Sequence, residues 1–493
     1  MQSHHPRTLA GGMIAAAALT ASLLAGCGGS GGSSGSSGGG GVGVTAQATV
    51  TISSAKRYQR IAGFGVSEGF GQAEALMSAP ASVQQQVLSL LYSPARGAGL
   101  TILRNEISAD AGFTIEPRAP ASPAAKPSYL TLAEIGQDQG QLWFARQIKA
   151  DYGVRDVFAD AWSAPAFMKT NDSAIRGGTL CGVPGASCKS GDWRRAYASY
   201  LVQYARDYAA AGVPLSYVGP ENETTIAPPQ DSMIMSPAQT ANFMGILGAT
   251  LTRSGLSTRA ECCASISWSV AQQFAAAIET DKAANAATAL FTSHGYFVPL
   301  DSPLQGWSKP VWQTEWAPFD TGPWNPAWDD GSLSSGLVWA QNIYTGLTAA
   351  DLGAFLYLWG ANTSTTTVTG PNTGLVDVQG STVAASGRLW AFASYSRFIR
   401  PGAVRIGTTT SKTALEVTAF RNGDGSIAVV VINNSHSGQV ATFSLRGHRG
   451  AHVTPYLTDA THQLSAQSPI TVRNSAFTAT LPPRSLVTYD IRS

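Results

Sequence analysis

Three glutamates stand where carboxyl groups could act together on one bond. Glu221 and Glu223 sit in the run Gly219-Pro220-Glu221-Asn222-Glu223, and Glu315 sits in Thr314-Glu315-Trp316. Each run closes a short apolar stretch of the kind that forms a buried strand. A carboxylic acid on one strand end and a carboxylate on another can converge on one mouth. The acid then protonates a departing oxygen while the carboxylate attacks the carbon it leaves, which is glycosidic cleavage with retention. Such chemistry calls for no cofactor and no metal. Glu221 and Glu223 lie two apart, so on a regular strand both would face the same way and compete for the acid's role.

Positioning such groups takes a frame of parallel strands. Apolar runs at 61–67, 100–105, 156–162, 214–219, 260–268, 288–294, 310–316 and 353–359 read as eight buried strands. Helical patterns at 82–92, 141–152, 193–211, 237–254, 270–284, 333–349 and 384–398 alternate with them. The sixth connection, 295–309, is too short and Pro-rich for a full helix. Eight such units predict an α/β fold, a (β/α)8 TIM barrel over 61–399, with its chemistry at the C-terminal strand ends. A doubly wound sheet is the rival. The Gly-rich stretch 63–71 does not fit its G-x-G-x-x-G loop, and no Walker motif occurs.

After Arg400-Pro401-Gly402 the pattern changes. Strands are expected at 415–420 and 427–433, joined by a hairpin turn, then at 440–445, 452–457, 470–473, 476–481 and 486–491. They predict a side antiparallel β-sandwich over 400–493. The strand-like 47–53 has no barrel partner, so 47–60 is expected to join that domain.

The 493 residues are 44% apolar and only 13% charged, which suits a packed core and argues against disorder. Net charge is +2, so no nucleic-acid partner is expected. The 12 Trp fit a protein that stacks flat, neutral ligands such as sugars. Residues 1–27 read as a lipoprotein-type signal. Arg7 precedes an apolar run, 13–24, too short to span a membrane, and Leu24-Ala25-Gly26-Cys27 is similar to the bacterial lipidation box. Residues 28–46 form a tether, Gly and Ser only as far as Gly41. The expected location is outside the cytoplasm: a cell-surface or periplasmic lipoprotein held to the membrane only through Cys27, or a secreted protein. In that oxidising setting Cys181 and Cys188 read as a small disulfide loop. Adjacent Cys262 and Cys263 read as two buried thiols in a strand, with a vicinal disulfide as the alternative.

Taken together these motifs resemble glycoside hydrolase family 30. Gly63-Phe64-Gly65, Leu103-Arg104 and Trp162-Ser-Ala-Pro-Ala-Phe-Met-Lys-Thr-Asn171 carry the resemblance through strand three. Asn222-Glu223, His294-Gly-Tyr296, Thr314-Glu315 and Trp359 carry it through strand eight. The resemblance implies Glu223 as acid/base and Glu315 as nucleophile, because an Asn precedes the family's acid. It implies Asn222 on the sugar 2-hydroxyl and Arg104 beneath the nucleophile, helping to keep it ionised. Trp162 and Trp359 are implied as walls and floor of the subsite where the bond breaks, with His294 and Tyr296 lining it. Thr224 departs from the Pro usual after this Glu.

The runs Gly65-Val-Ser-Glu68 and Leu103-Arg-Asn-Glu106, with the Cys181–Cys188 loop, look most like the fungal-type xylanase and glucuronoxylanase branch. A polysaccharide is therefore the expected partner, xylan first, for a monomeric enzyme. A β-1,6-galactanase or β-1,6-glucanase is the alternative, and a non-catalytic surface carbohydrate-binding protein a more distant one. Bacterial glucuronoxylanases of the family hold the glucuronate with an Arg after strand eight, but 360–380 contains no Arg or Lys. The loop after strand one has Gln72 and no Arg. Arg176 or Lys189 could still supply a cation from the loop after strand three.

Overall fold

The computed structural model of the chain describes residues 47–297, 299–318, 322–363, 373–447 and 452–492. The expected signal, Cys27, the tether and part of the 360–380 loop lie outside the described residues.

Eight parallel strands close into a barrel: Gly63–Ser67, Ile102–Ile107, Asp156–Ala161, Tyr217–Gly219, Arg259–Ser265, Thr288–His294, Val311–Glu315 and Ala354–Leu358. They are called strands one to eight below. Closure comes where strand one pairs with strand eight, Phe64 beside Phe355. Nearly every strand residue is buried, as it must be with helices outside and packed side chains inside. Ile102, Phe158, Tyr217, Leu290, Trp312 and Leu356 plug the interior. Trp312 meets Phe158 and Tyr217 edge-on, with centroids 5.8 and 5.4 Å away. The polar groups of the interior stand above this plug, toward the C-terminal ends.

The outer helices bury one stripe each. Ala81–Tyr92 turns Val83, Val87, Leu88 and Leu91 inward, the spacing of a helix face. Pro237–Ser254 starts at a capping box, where Ser236 and Gln239 satisfy each other's backbone N–H groups. The run 260–268 divides: strand five stops at Ser265, and a helix begins at Trp268. That helix ends at Thr280, where Asp281 caps a second one, Lys282–Ala287, through the N–H groups of Ala283 and Ala284. No helix occurs among the described residues of 295–309.

Ala48–Arg60 pairs antiparallel with Val404–Thr410 and parallel with Gln439–Arg446, in the middle of a ten-stranded sheet. This sheet is the side β-sandwich. Val50, Val417, Val429, Phe443, Phe477 and Tyr489 fill its core. Its last strand touches the barrel's final helix, Gly387–Ser396, where Thr488 Oγ1 donates to the carbonyl of Ser394 at 2.7 Å. Val404–Thr410 was not expected from sequence, since Gly407 and three threonines dilute its apolar alternation. A small three-stranded sheet after strand eight, Ala361–Asn362, Val376–Gln379 and Thr382–Ala385, was also unexpected.

Candidate active site

Arg104 is the hub of the barrel mouth. It points inward from strand two, fully buried. Its Nε donates to Asp160 Oδ2 at 2.6 Å and its Nη2 to Asn222 Oδ1 at 2.7 Å, while Nη1 pairs with Glu315 Oε2. The Trp162 ring lies over the guanidinium, 4.5 Å from its centroid. Burial works against the charge on Arg104, but Asp160 and Glu315 more than offset it, so the cation is firmly held.

Glu315 ends strand seven, and its other oxygen, Oε1, accepts from the Tyr296 hydroxyl at 3.0 Å. Burial first, and the charge of Glu315 next, push the Tyr296 phenol well up, so it remains a donor.

Glu223 follows strand four with φ 49°, a left-handed conformation uncommon outside glycine. Its backbone N–H donates to the carbonyl of Ala264 in strand five at 3.0 Å. Its Oε1 lies 2.7 Å from His294 Nδ1. Burial pushes the Glu223 carboxyl up to about 7, with Arg104 opposing, and 16% of the side chain still meets solvent. Burial likewise pushes His294 down to about 4, so the ring is neutral at neutral pH. One oxygen of Glu223, one nitrogen of His294 and one oxygen of Glu315 all lie within 4.8 Å of each other.

Glu221 does not share this mouth. The strand ends at Gly219 and the backbone turns at Glu223, so the two glutamates diverge and do not alternate onto one face. Glu221 Oε2 accepts from Thr240 of the helix outside, at 2.7 Å, and burial lifts its pKa to about 8. Asn222 Oδ1 serves Arg104. Thr224, the departure noted above, is buried, and its carbonyl accepts from Met235, which ties down the loop.

The family description "O-Glycosyl hydrolase family 30" matches residues 47–297, and the family's β-sandwich description matches 402–489. The chain belongs to glycoside hydrolase family 30. It is a glycoside hydrolase on the xylanase-like side of that family. The catalytic domain of GH30 xylanase C from Talaromyces cellulolyticus is 44% identical, over 90% of this chain and 100% of that one, with a TM-score of 0.83. An endo-1,6-beta-D-glucanase of Neurospora crassa is 24% identical over 80% of this chain and 83% of its own. The glucuronoxylanase XynC of Bacillus subtilis is 32% identical over 21% of this chain, and the match spans 25% of that protein.

In this family 30 barrel, Arg104, Asn222, Tyr296 and Glu315 are bonded together, and the bonded pair Glu223 and His294 stands against them, His294 Nε2 lying 3.9 Å from Glu315 Oε2. Trp162 and Trp359 flank Phe70, whose ring meets both edge-on at 5.2 and 5.6 Å. Phe70 was missed from sequence, as was Phe297, 76% exposed beside Tyr296. Both have positive φ, 53° and 65°. Strained backbone of this kind gathers at binding sites, but it leaves no mark in sequence. Asp160 and Glu261 were missed too, hidden inside strands three and five. Cys181 and Cys188 are disulfide-bonded, with Cα atoms 5.5 Å apart. Cys262 and Cys263 are also bonded to each other, where two thiols had been the first expectation. Gln72 holds the loop after strand eight, accepting from Thr363 N at 2.8 Å.

Proposed function

We propose that this family 30 enzyme hydrolyses β-1,4-xylan with retention, Glu315 acting as nucleophile and Glu223 as acid/base. The observation that carries the mechanism is the approach of Glu223 and Glu315, with an oxygen from each inside one 4.8 Å cluster. Carboxyl groups about 5–5.5 Å apart suit a covalent glycosyl-enzyme, while inverting enzymes leave ~6.5–9.5 Å for a water. Arg104 and Tyr296 hold one oxygen each of Glu315, orienting it for attack on the anomeric carbon. Glu223, with its pKa near 7, carries a proton in mildly acid solution and gives it to the departing oxygen. As carboxylate it then takes a proton from the water that opens the sugar ester. Asn222 Nδ2 reaches for the 2-hydroxyl, and Trp162, Phe70 and Trp359 supply the apolar walls.

Xylan is favoured by the 44% identity with xylanase C over its full length. The β-1,6-glucanase reading is favoured only by the more distant relatives. The loop after strand one carries the neutral Gln72 and no Arg or Lys, so it offers no cation for a glucuronate. A charge-assisted contact is worth ~1.5–3 kcal/mol, and without one the preference for glucuronoxylan over unbranched xylan is expected to stay below about tenfold. Reducing-sugar release on xylans, β-1,6-glucan and arabinogalactan tests the substrate, and proton NMR of the first-formed anomer tests retention. An α-anomer as first product from a β-linked substrate would remove the mechanism. Export with lipidation at Cys27 belongs to the same proposal, and Cys27→Ser is expected to move the enzyme from membranes to the soluble fraction.

A further inference from the structure

Behind Arg104 lies a second pair of carboxyl groups. Asp160 on strand three and Glu261 on strand five are both fully buried. Asp160 gives Oδ2 to Arg104, and Glu261 Oε2 accepts from the Thr292 hydroxyl of strand six. Their remaining oxygens, Asp160 Oδ1 and Glu261 Oε1, accept no N–H or O–H from any described residue. Both converge on Gly219 of strand four. A Cβ built there would stand 2.4 Å from Asp160 Oδ1 and 1.5 Å from Glu261 Oε1. Glycine is therefore required at 219 because the two oxygens occupy the place of its side chain.

Two buried carboxyl oxygens that face each other, with no other donor among the described residues, call for a proton between them. Two like charges at that separation, out of water, would strongly oppose ionisation of both. The guanidinium fixes which group is ionised, since Asp160 already pairs with it. We infer that Glu261 is a positioning residue, a permanently protonated acid whose Oε1–H is donated to Asp160 Oδ1, and that Asp160 in turn fixes the angle and charge of Arg104 beneath Glu315. The line then runs from neutral acid to carboxylate to guanidinium to nucleophile. Burial and the charge of Asp160 both push Glu261 well up, with Thr292 and Arg104 opposing, which agrees with the geometric argument. Asp160 takes up part of the cation's field, so Arg104 orients Glu315 without wholly quenching it as a nucleophile.

The inference borrows from the proposed mechanism only the role of Glu315. Glu261→Gln keeps the shape and supplies an amide donor to Asp160. It is expected to leave kcat/KM within about threefold of wild type at every pH, with the acid limb unmoved. Asp160→Asn removes the charge that shares Arg104. Its acid limb is expected to fall by about one pH unit, the low end for loss of a nearby charge, with kcat reduced. Glu261→Leu fills the space but donates nothing, and should lower kcat at least tenfold with KM little changed. Thermal melts of all three verify folding. Infrared difference spectra at neutral pH, wild type minus Glu261→Gln, should show the C=O stretch of one protonated carboxylic acid, whatever the role of Glu315. Absence of that band overturns the inference. So does a Glu261→Gln acid limb displaced as far as that of Asp160→Asn, or a Glu261→Leu enzyme with wild-type kcat.

Discussion

Replacing Tyr296 by phenylalanine removes one oxygen and, with it, the donor to Glu315 Oε1 at 3.0 Å. Tyr296 is 4% exposed, so the loss occurs where bulk water does not simply take its place. A hydrogen bond to a charged group is worth ~1.5–3 kcal/mol. At 1.36 kcal/mol per pH unit, that favours the protonated nucleophile by roughly 1–2 units. Arg104 still holds Oε2, and a water could enter the space of the lost hydroxyl, which points to the lower end. The acid limb of kcat/KM should therefore move up by about one unit, while the descending limb, set by Glu223 near 7, stays where it is. Below both acid limbs the variant should be about tenfold slower, and the deficit should shrink toward neutrality. The assay is kcat/KM against pH on a soluble aryl xylobioside whose poor leaving group needs the proton of Glu223, with thermal melting to verify the fold. A uniform loss at all pH values, with no movement of the acid limb, would refute the argument that Tyr296 acts by stabilising an ionised Glu315.

Glu315→Gln should abolish turnover on every substrate. Glu223→Ala should keep activity on activated aryl glycosides, whose leaving groups need no proton, and azide should restore turnover as a β-glycosyl azide. Glu221→Ala should show neither pattern. It strands the Thr240 hydroxyl, so it should cost about 1–3 kcal/mol of stability in denaturant titration, with leaving-group dependence unchanged. The pair Cys181→Ser and Cys188→Ser opens a short loop, and chain entropy puts the loss at roughly 2–3 kcal/mol.

The barrel was legible because each of its strands is buried on both faces and writes an apolar run bounded by turn residues. Glu315 was legible because it ends such a run, while Arg104, inside strand two, and Glu223, just past strand four, were legible through the motifs Leu103-Arg104 and Asn222-Glu223. Phe70 and Phe297 were not, since their orientation depends on a positive φ that no residue type announces. Val404–Thr410 carries too few apolar residues to stand out, and becomes a strand because Ala48–Arg60 arrives from the far end of the chain to pair with it. The rivalry of Glu221 and Glu223 rested on a strand alternation that the backbone turn at Glu223 ends.

Asp160 and Glu261 show the deeper limit. A charge inside an apolar run reads as an irregularity of the strand, and its meaning appears only when strands two to six bring their residues to one level. The low charge content of the sequence then has a different sense. Glu223 at this mouth, and Glu221 and Glu261 in the barrel around it, are all pushed up by burial, toward the neutral acid. One guanidinium serves the two carboxylates bonded to it, Asp160 and Glu315. A second free cation would compete for Glu315, and a second free anion would compete for Arg104. By this argument the cleft gains from having few charges, and the position of each proton matters as much as the position of each side chain.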